Sequence, residues 1–441
     1  MARHPSNRLA VAAAALLLAL TTACSSSGDA RPPGPGAATP GPVAGDATVP
    51  PPQAGPPAWG GELCSQPAVT CAEHAGLPTV LVARPGSRLD DVVLVDLGGP
   101  GTSVEQTLER LADLDLFAGH DVLVVGEAWE VTPPTDACLS AEAARVASWA
   151  AITAPGSSTG ASCDPSRWRF VPADYRAAVA DALAPSHGRV TSGVGVSFGA
   201  VRVAAALTAD VPLLLLSPAP VAGSSGAVDA ARADAVLQRA RALCAGRPAC
   251  TGVLDRLGAG RSLEARDYEA ALALVGSAPD PDLLRETVAA LGARTGTGSA
   301  DTLTRQAYAA TFRYGDGAVL PNLLSYRAGT CGWYSGTGAP SPTSPTSEAD
   351  ATGDTGLAAL LDAVLSCGAG PTTPPAIDLV GRRGCVVTAR DDVVTPPALT
   401  RPWTSGGSAL VLRAGGMSAH GALDGTAASL LSRVPASLSA C

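Results

Sequence analysis

The strongest constraint on this chain is a recurrence of short runs in which consecutive residues are apolar without polar alternation. Val92-Val93-Leu94-Val95, Val122-Leu123-Val124-Val125 and Leu213-Leu214-Leu215-Leu216 are of this kind. A strand sends successive side chains to opposite faces, so such a run needs cover on both sides, which is the condition of a parallel sheet between two layers of helices. Strands are expected at 79–83, 92–96, 121–125, 193–196, 211–217, 385–389 and 409–413. Helix-like stretches between them include 103–114, 175–183 and 200–208. The expected class is therefore α/β, with a central, mainly parallel sheet flanked by helices. Apolar residues make up 46% of the 441 and charged ones 16%, enough to build such a core.

The pattern changes at two places. Residues 218–375 carry long amphipathic stretches, such as 227–243 and 282–291, and no convincing strand; they are expected to form a helical cap inserted between two strands of the sheet. A Gly-, Ser-, Pro- and Thr-rich loop at 336–346 lies within it. The N-terminus is different again. Arg3 and Arg8 precede an apolar run at 10–20, too short to span a bilayer, and Thr22-Ala23-Cys24-Ser25 follows. This resembles a bacterial lipoprotein signal, although Thr21 stands at the third position before the cysteine, where Leu is usual. The resemblance implies that 1–23 is removed and Cys24 lipidated, leaving the chain exported and anchored to the outer face of the cell membrane; plain secretion is the other route. Residues 24–58, rich in Pro, Gly and Ala, are expected to be a disordered tether. The core then comprises 59–217 and 376–441. A net charge of −9 gives no bulk attraction for nucleic acid.

Export bears on the cysteines. With Cys24 set aside ten remain, in neighbouring pairs: Cys64 and Cys71, Cys138 and Cys163, Cys244 and Cys250, Cys331 and Cys367, Cys385 and Cys441. Nearest-neighbour disulfides close the shortest loops and are the expected connectivity. No Cys-x-x-Cys occurs and histidines are few, so neither a metal nor a cofactor is expected.

Two strings match Gly-x-Ser-x-Gly. Gly156-Ser157-Ser158-Thr159-Gly160 has no strand before it and reads as a loop. Gly195-Val196-Ser197-Phe198-Gly199 has Val194 and Val196 before it and a helix-like Ala200-Val201-Arg202-Val203 after it, the strand–turn–helix context of a nucleophile elbow. A serine hydroxyl is a weak nucleophile without a base. His420 is the one histidine after Ser197, and it follows the 409–413 strand through Ala414-Gly415-Gly416. Asp391 or Asp392, after the 385–389 strand, could orient its imidazole. Leu97-Gly98-Gly99-Pro100-Gly101 is a Gly-rich turn after a strand. It could bring backbone N–H groups to an oxyanion, with the N–H of Phe198 as a further donor.

Leu97-Gly98-Gly99-Pro100-Gly101, Gly195-Val196-Ser197-Phe198-Gly199, Asp392-Val393-Val394-Thr395-Pro396 and His420-Gly421, in this order, resemble the tripeptidyl aminopeptidase and proline iminopeptidase group of α/β-hydrolases, from about residue 75 to the terminal Cys441. The Asp-x-Val-Thr-Pro match selects Asp392. The resemblance implies an α/β-hydrolase fold and a serine peptidase acting at free N-termini. It assigns Ser197 as nucleophile, His420 as base, Asp392 as its orienter and Gly98, Gly99 and Phe198 as the oxyanion hole. Such an enzyme needs an anionic group for the substrate ammonium, and Glu127, Glu130, Asp267, Glu269 and Asp316 are the candidates. The chain departs from the group at 126–134, where Gly126-Glu127-Ala128-Trp129 replaces the usual Asp-x-Arg-Gly stretch, and at Phe198, where Tyr is usual. The alternatives are a carboxylesterase or lipase, which needs the same triad, and a catalytically inactive surface lipoprotein that binds peptides. The expected partners are a peptide or small acyl substrate and, through Cys24 alone, the membrane.

Overall fold

A computed structural model describes residues 57–112, 119–138, 165–221, scattered positions within 231–251, 377–418, 420–434, 438 and 441. The apolar runs form β2 (Leu77–Val82), β3 (Val92–Asp96), β4 (Asp121–Val125), β5 (Val190–Val196), β6 (Leu213–Leu216), β7 (Arg383–Ala389) and β8 (Ala409–Met417), preceded by β1 (Val69–His74). They make one sheet in the order β1-β2-β4-β3-β5-β6-β7-β8. β2 runs antiparallel to both its neighbours, and every pairing from β4 through β8 is parallel.

The helices are α1 (Val104–Ala112), α2 (Ala128–Val131), α3 (Pro172–Leu183), α4 (Phe198–Ala206), α5 (Pro397–Thr400) and α6 (Gly425–Leu431). α3 and α4 cover one face of the sheet, and α1 and α6 the other. β6 shows why its sequence has no polar alternation. Leu213 and Leu215 enter the core under α3 and α4, Leu214 and Leu216 enter the opposite core, and all four are 0% exposed. Each such leucine contributes roughly 1.5–3 kcal/mol of burial.

Two elements differ from expectation. β1 is a half-exposed edge strand, Val69-Thr70-Cys71-Ala72-Glu73-His74, so it lacks the all-apolar character that marks its neighbours; a disulfide from Cys71 to Cys64 ties it down. β8 continues through Ala414-Gly415-Gly416 to Met417 instead of ending at Arg413. An irregularity in its pairing with β7, beside Thr388 and Ala389, accommodates Gly415 at φ +71°. Glycines read as a loop, yet on an edge strand a bulge gives them a place.

Cys385 is bonded to Cys441. Cys138 and Cys244 are also in disulfides, with their expected partners, Cys163 and Cys250, outside the described residues. Also outside are the expected signal with Cys24, nearly all of the expected tether and cap, Cys331, Cys367 and Ser158.

Candidate active site

The turn after β5 is built by close approach. A Cβ on Gly195 would lie 2.4 Å from Ala200 Cα, and one on Gly199 would lie 2.2 Å from the carbonyl oxygen of Asp96. Only glycine lets the chain reverse this tightly. Between them Ser197 takes φ 52°, ψ −120°, a conformation that costs a non-glycine residue on the order of 1–3 kcal/mol. The strain lifts its side chain out of the sheet edge: Ser197 is half-buried while Val196 and Phe198 on either side are buried.

His420 comes from the loop after β8. Its Nε2 is 3.2 Å from Ser197 Oγ, and its Nδ1 lies 3.0 Å from Oδ2 and 3.2 Å from Oδ1 of Asp392. Facing a carboxylate, Nδ1 carries the proton, which leaves the Nε2 lone pair toward the serine. Asp392 is buried, whereas Asp391 is exposed on the preceding turn. Burial alone would raise Asp392, but hydrogen bonds from His420, Ser217 and the Thr395 N–H outweigh it and hold the carboxyl below its ordinary range. Two of those partners have no counterpart in the sequence reading. Ser217, at the end of β6, donates to Oδ2 at 2.6 Å; Thr395 Oγ1 lies 3.0 Å from the same oxygen and 3.3 Å from His420 Nδ1. Arg110 is a third unforeseen residue. From α1 it donates to the carbonyls of Leu97 at 3.0 Å and Gly421 at 3.1 Å, joining the Gly-rich turn to the histidine loop.

The turn after β3 corrects one expectation. The Gly98 N–H is spent on Asp96 Oδ1 at 3.2 Å, so Gly98 is not an oxyanion donor; its carbonyl accepts from the Gly199 N–H at 2.8 Å and braces the elbow. Gly99, where a Cβ would meet nothing within 4 Å, stands in open space. Gly101, at φ +99°, donates its N–H to both carboxylate oxygens of Glu127, at 2.9 and 3.0 Å.

Beneath this turn lies a buried charge cluster. Arg202, on α4, pairs with Asp96 at 3.1 Å and with Glu127 at 2.5 Å. Tyr175 O–H donates to Asp96 at 3.0 Å, and Trp129 Nε1–H to Glu127 at 3.1 Å. Burial would lower Arg202, but Asp96 and Glu127 more than compensate and hold it above its ordinary value, while burial and Asp96 together push Tyr175 well up. Glu130 accepts the N–H groups of Val104 and Glu127, both at 2.9 Å, and burial raises it to about 7. Both carboxylates of the β4 loop are thus engaged within the fold, which corrects the expectation that Glu127 or Glu130 stands ready for a substrate ammonium. Asp267, Glu269 and Asp316 lie outside the described residues.

The strand order with an antiparallel β2, and a strained serine between β5 and its following helix, define the α/β-hydrolase fold carrying a Ser–His–Asp constellation. No protein-family model matches the sequence, and no curated protein matches it. Among solved structures, the chain is similar to epoxide hydrolase A of Mycobacterium thermoresistibile at 16% identity, covering 83% of this chain and 97% of that one, with a TM-score of 0.34. A serine hydrolase of Cycloclasticus zankles matches at 14% identity over 78% of this chain and 88% of its own, with a TM-score of 0.30. The S103A variant of a meta-cleavage product hydrolase of Pseudomonas fluorescens matches at 13% over 78% and 89%, with a TM-score of 0.32. The fold assignment rests on the strand order and the elbow.

Proposed function

We propose that the chain is a serine hydrolase that transfers an acyl group to water through a covalent intermediate. One observation carries this reading: a strained, half-buried Ser197 with its Oγ 3.2 Å from an imidazole whose other nitrogen meets a buried carboxylate at 3.0 Å. Ser197 Oγ attacks the substrate carbonyl and its proton passes to His420 Nε2. The bond to the leaving group breaks as that proton is handed on. Water, deprotonated by the same nitrogen, then releases the acid and restores the serine. Asp392 fixes the imidazole and offsets its charge while it is protonated. The N–H groups of Gly99 and of Phe198, which opens α4, are the proposed oxyanion donors.

For the substrate, we infer a peptidase that releases single residues or short peptides from free N-termini. The motif order supports this reading, and the ammonium would then be held by the inserted 218–375 segment. A carboxylesterase is the second reading. The engagement of Glu127 and Glu130 favours it, because an ester substrate needs no ammonium partner. The signal resemblance and the disulfides support lipid-anchored export.

A fluorophosphonate probe tests the chemistry. Wild-type protein is expected to label and Ser197→Ala is not; folded wild-type protein that stays unlabelled overturns the enzyme reading in favour of a peptide-binding lipoprotein. Aminoacyl and tripeptidyl anilides compared with short acyl esters then test the substrate. Anilide turnover abolished by N-acetylation supports the peptidase, and turnover of esters alone supports the esterase.

A further inference from the structure

We propose that Ser217 is a positioning residue for Asp392, a fourth member of the constellation that acts through the carboxylate. The inference rests on the serine-hydrolase reading for its consequence in catalysis, though the hydrogen bond it invokes does not.

The sheet itself brings the four residues together. β5, β6, β7 and β8 are consecutive parallel neighbours, with Val196 paired to Leu216 and Leu216 to Val387. Ser197 and Ser217 each follow their strand's last residue, Asp392 follows β7 after Arg390 and Asp391, and His420 follows β8. The order of contacts runs Ser197–His420–Asp392–Ser217, so Ser217 is its last member.

Three features assign the role to its hydroxyl. Ser217 is 0% exposed, and its O–H is directed at Asp392 Oδ2 at 2.6 Å, the same oxygen that meets His420 Nδ1 at 3.0 Å. Its backbone is pinned on both sides, with the N–H donating to Val387 O at 2.8 Å and the carbonyl 3.1 Å from Thr395 Oγ1. Finally, Ser217 has φ +43°, a left-handed backbone beside the strained Ser197 on the next strand. Glycine would take that backbone without strain. Serine instead carries a Cβ and a hydroxyl, and that hydroxyl is spent on the carboxylate.

Two consequences follow for the imidazole. The Ser217 bond stops the carboxyl group from turning away from Nδ1. It also draws negative charge from Oδ2, so its removal leaves a more basic acceptor facing His420. The charged groups at this oxygen, among the described residues, are Asp392 and His420 themselves. Asp391 is exposed, and its carbonyl, not its carboxylate, is what Arg239 holds.

The test compares wild type with Ser217→Ala and Ser217→Gly, the second relieving the backbone should alanine fail to fold there. Both variants are expected to lose about 10- to 100-fold in kcat, the scale met when a group that orients a metal ligand is removed, with KM within about twofold. The acidic limb of kcat/KM, and the NMR midpoint of the His420 Cε1 proton, should both move upward. A merely structural loss would lower the rate and leave both midpoints where they are. If the midpoint of the His420 proton in Ser217→Gly matches wild type, the proposal is overturned whatever the rate. The NMR readout needs no substrate, so a shift in protein that hydrolyses nothing would sustain the positioning bond while the hydrolase reading falls.

Discussion

Arg202 is a cation held between two buried carboxylates that hold the Gly-rich turn, and Arg202→Met should expose what that arrangement is worth. At an effective dielectric near 20, a unit pair at the 3.1 Å of Arg202 and Asp96 attracts by about 5 kcal/mol before desolvation is charged against it. Removing one partner of such a buried set leaves the other charges uncompensated, and the net loss is typically about 3–5 kcal/mol. Without Arg202, Asp96 and Glu127 repel each other in a buried site. Urea unfolding at neutral pH measures the loss, with the indole of Trp129, bonded to Glu127, as an internal reporter. Probe labelling of Ser197 should slow by about 100-fold or more, because Gly98 and Gly101 hang on those two carboxylates. Arg202→Met combined with Glu127→Gln should recover part of the stability. A deficit below about 1 kcal/mol would refute the account of Arg202 as the neutralising ion of the cluster.

Asp392→Asn should fold normally and lose about 10⁴-fold in kcat by presenting the wrong imidazole tautomer; steady-state assay beside circular dichroism checks both halves. Glu130, raised by burial from 4.5 to about 7, favours the fold in its protonated form. Wild type should thus lose up to about 3 kcal/mol as pH rises from 4.5 through 7, and Glu130→Gln should flatten that slope in urea midpoints; an unchanged slope counts against it. Cys441→Ser opens a loop spanning 56 residues and should lower stability by up to about 4 kcal/mol, read by denaturation under non-reducing conditions.

The sheet was readable wherever burial on two faces left its mark on composition. β6 is apolar throughout, and β3 and β4 are apolar but for Asp96 at the end of one and Asp121 at the start of the other; the expected limits hold for β3 and β4, while β6 is shorter than its expected 211–217. β1 faces solvent along one edge and carries no such mark. Ser197 and the histidine were readable from distinctive neighbourhoods, an elbow of glycines and a single histidine downstream; the choice of Asp392 over Asp391 came from the Asp-x-Val-Thr-Pro resemblance. Ser217 and Arg110 have no such mark, and Thr395 stands in that motif with nothing to show which groups it meets. Ser217 lies 175 residues from the carboxylate it serves, and only the pairing of Leu216 with Val387 brings the two together. Glu127 and Glu130 were misjudged for a related reason. A carboxylate can be read from a sequence, but its counter-ion, here an arginine 75 positions on, cannot.

The contact between Ser217 and Asp392 is set by strand pairing and not by the path the chain takes between them. More than 150 residues leave the sheet at the end of β6 and return at β7, yet the two side chains meet through a ladder fixed within a few residues of each. A slip of one residue in the register of β6 against β7 would therefore part the hydroxyl from the carboxylate, whatever lies between the two strands.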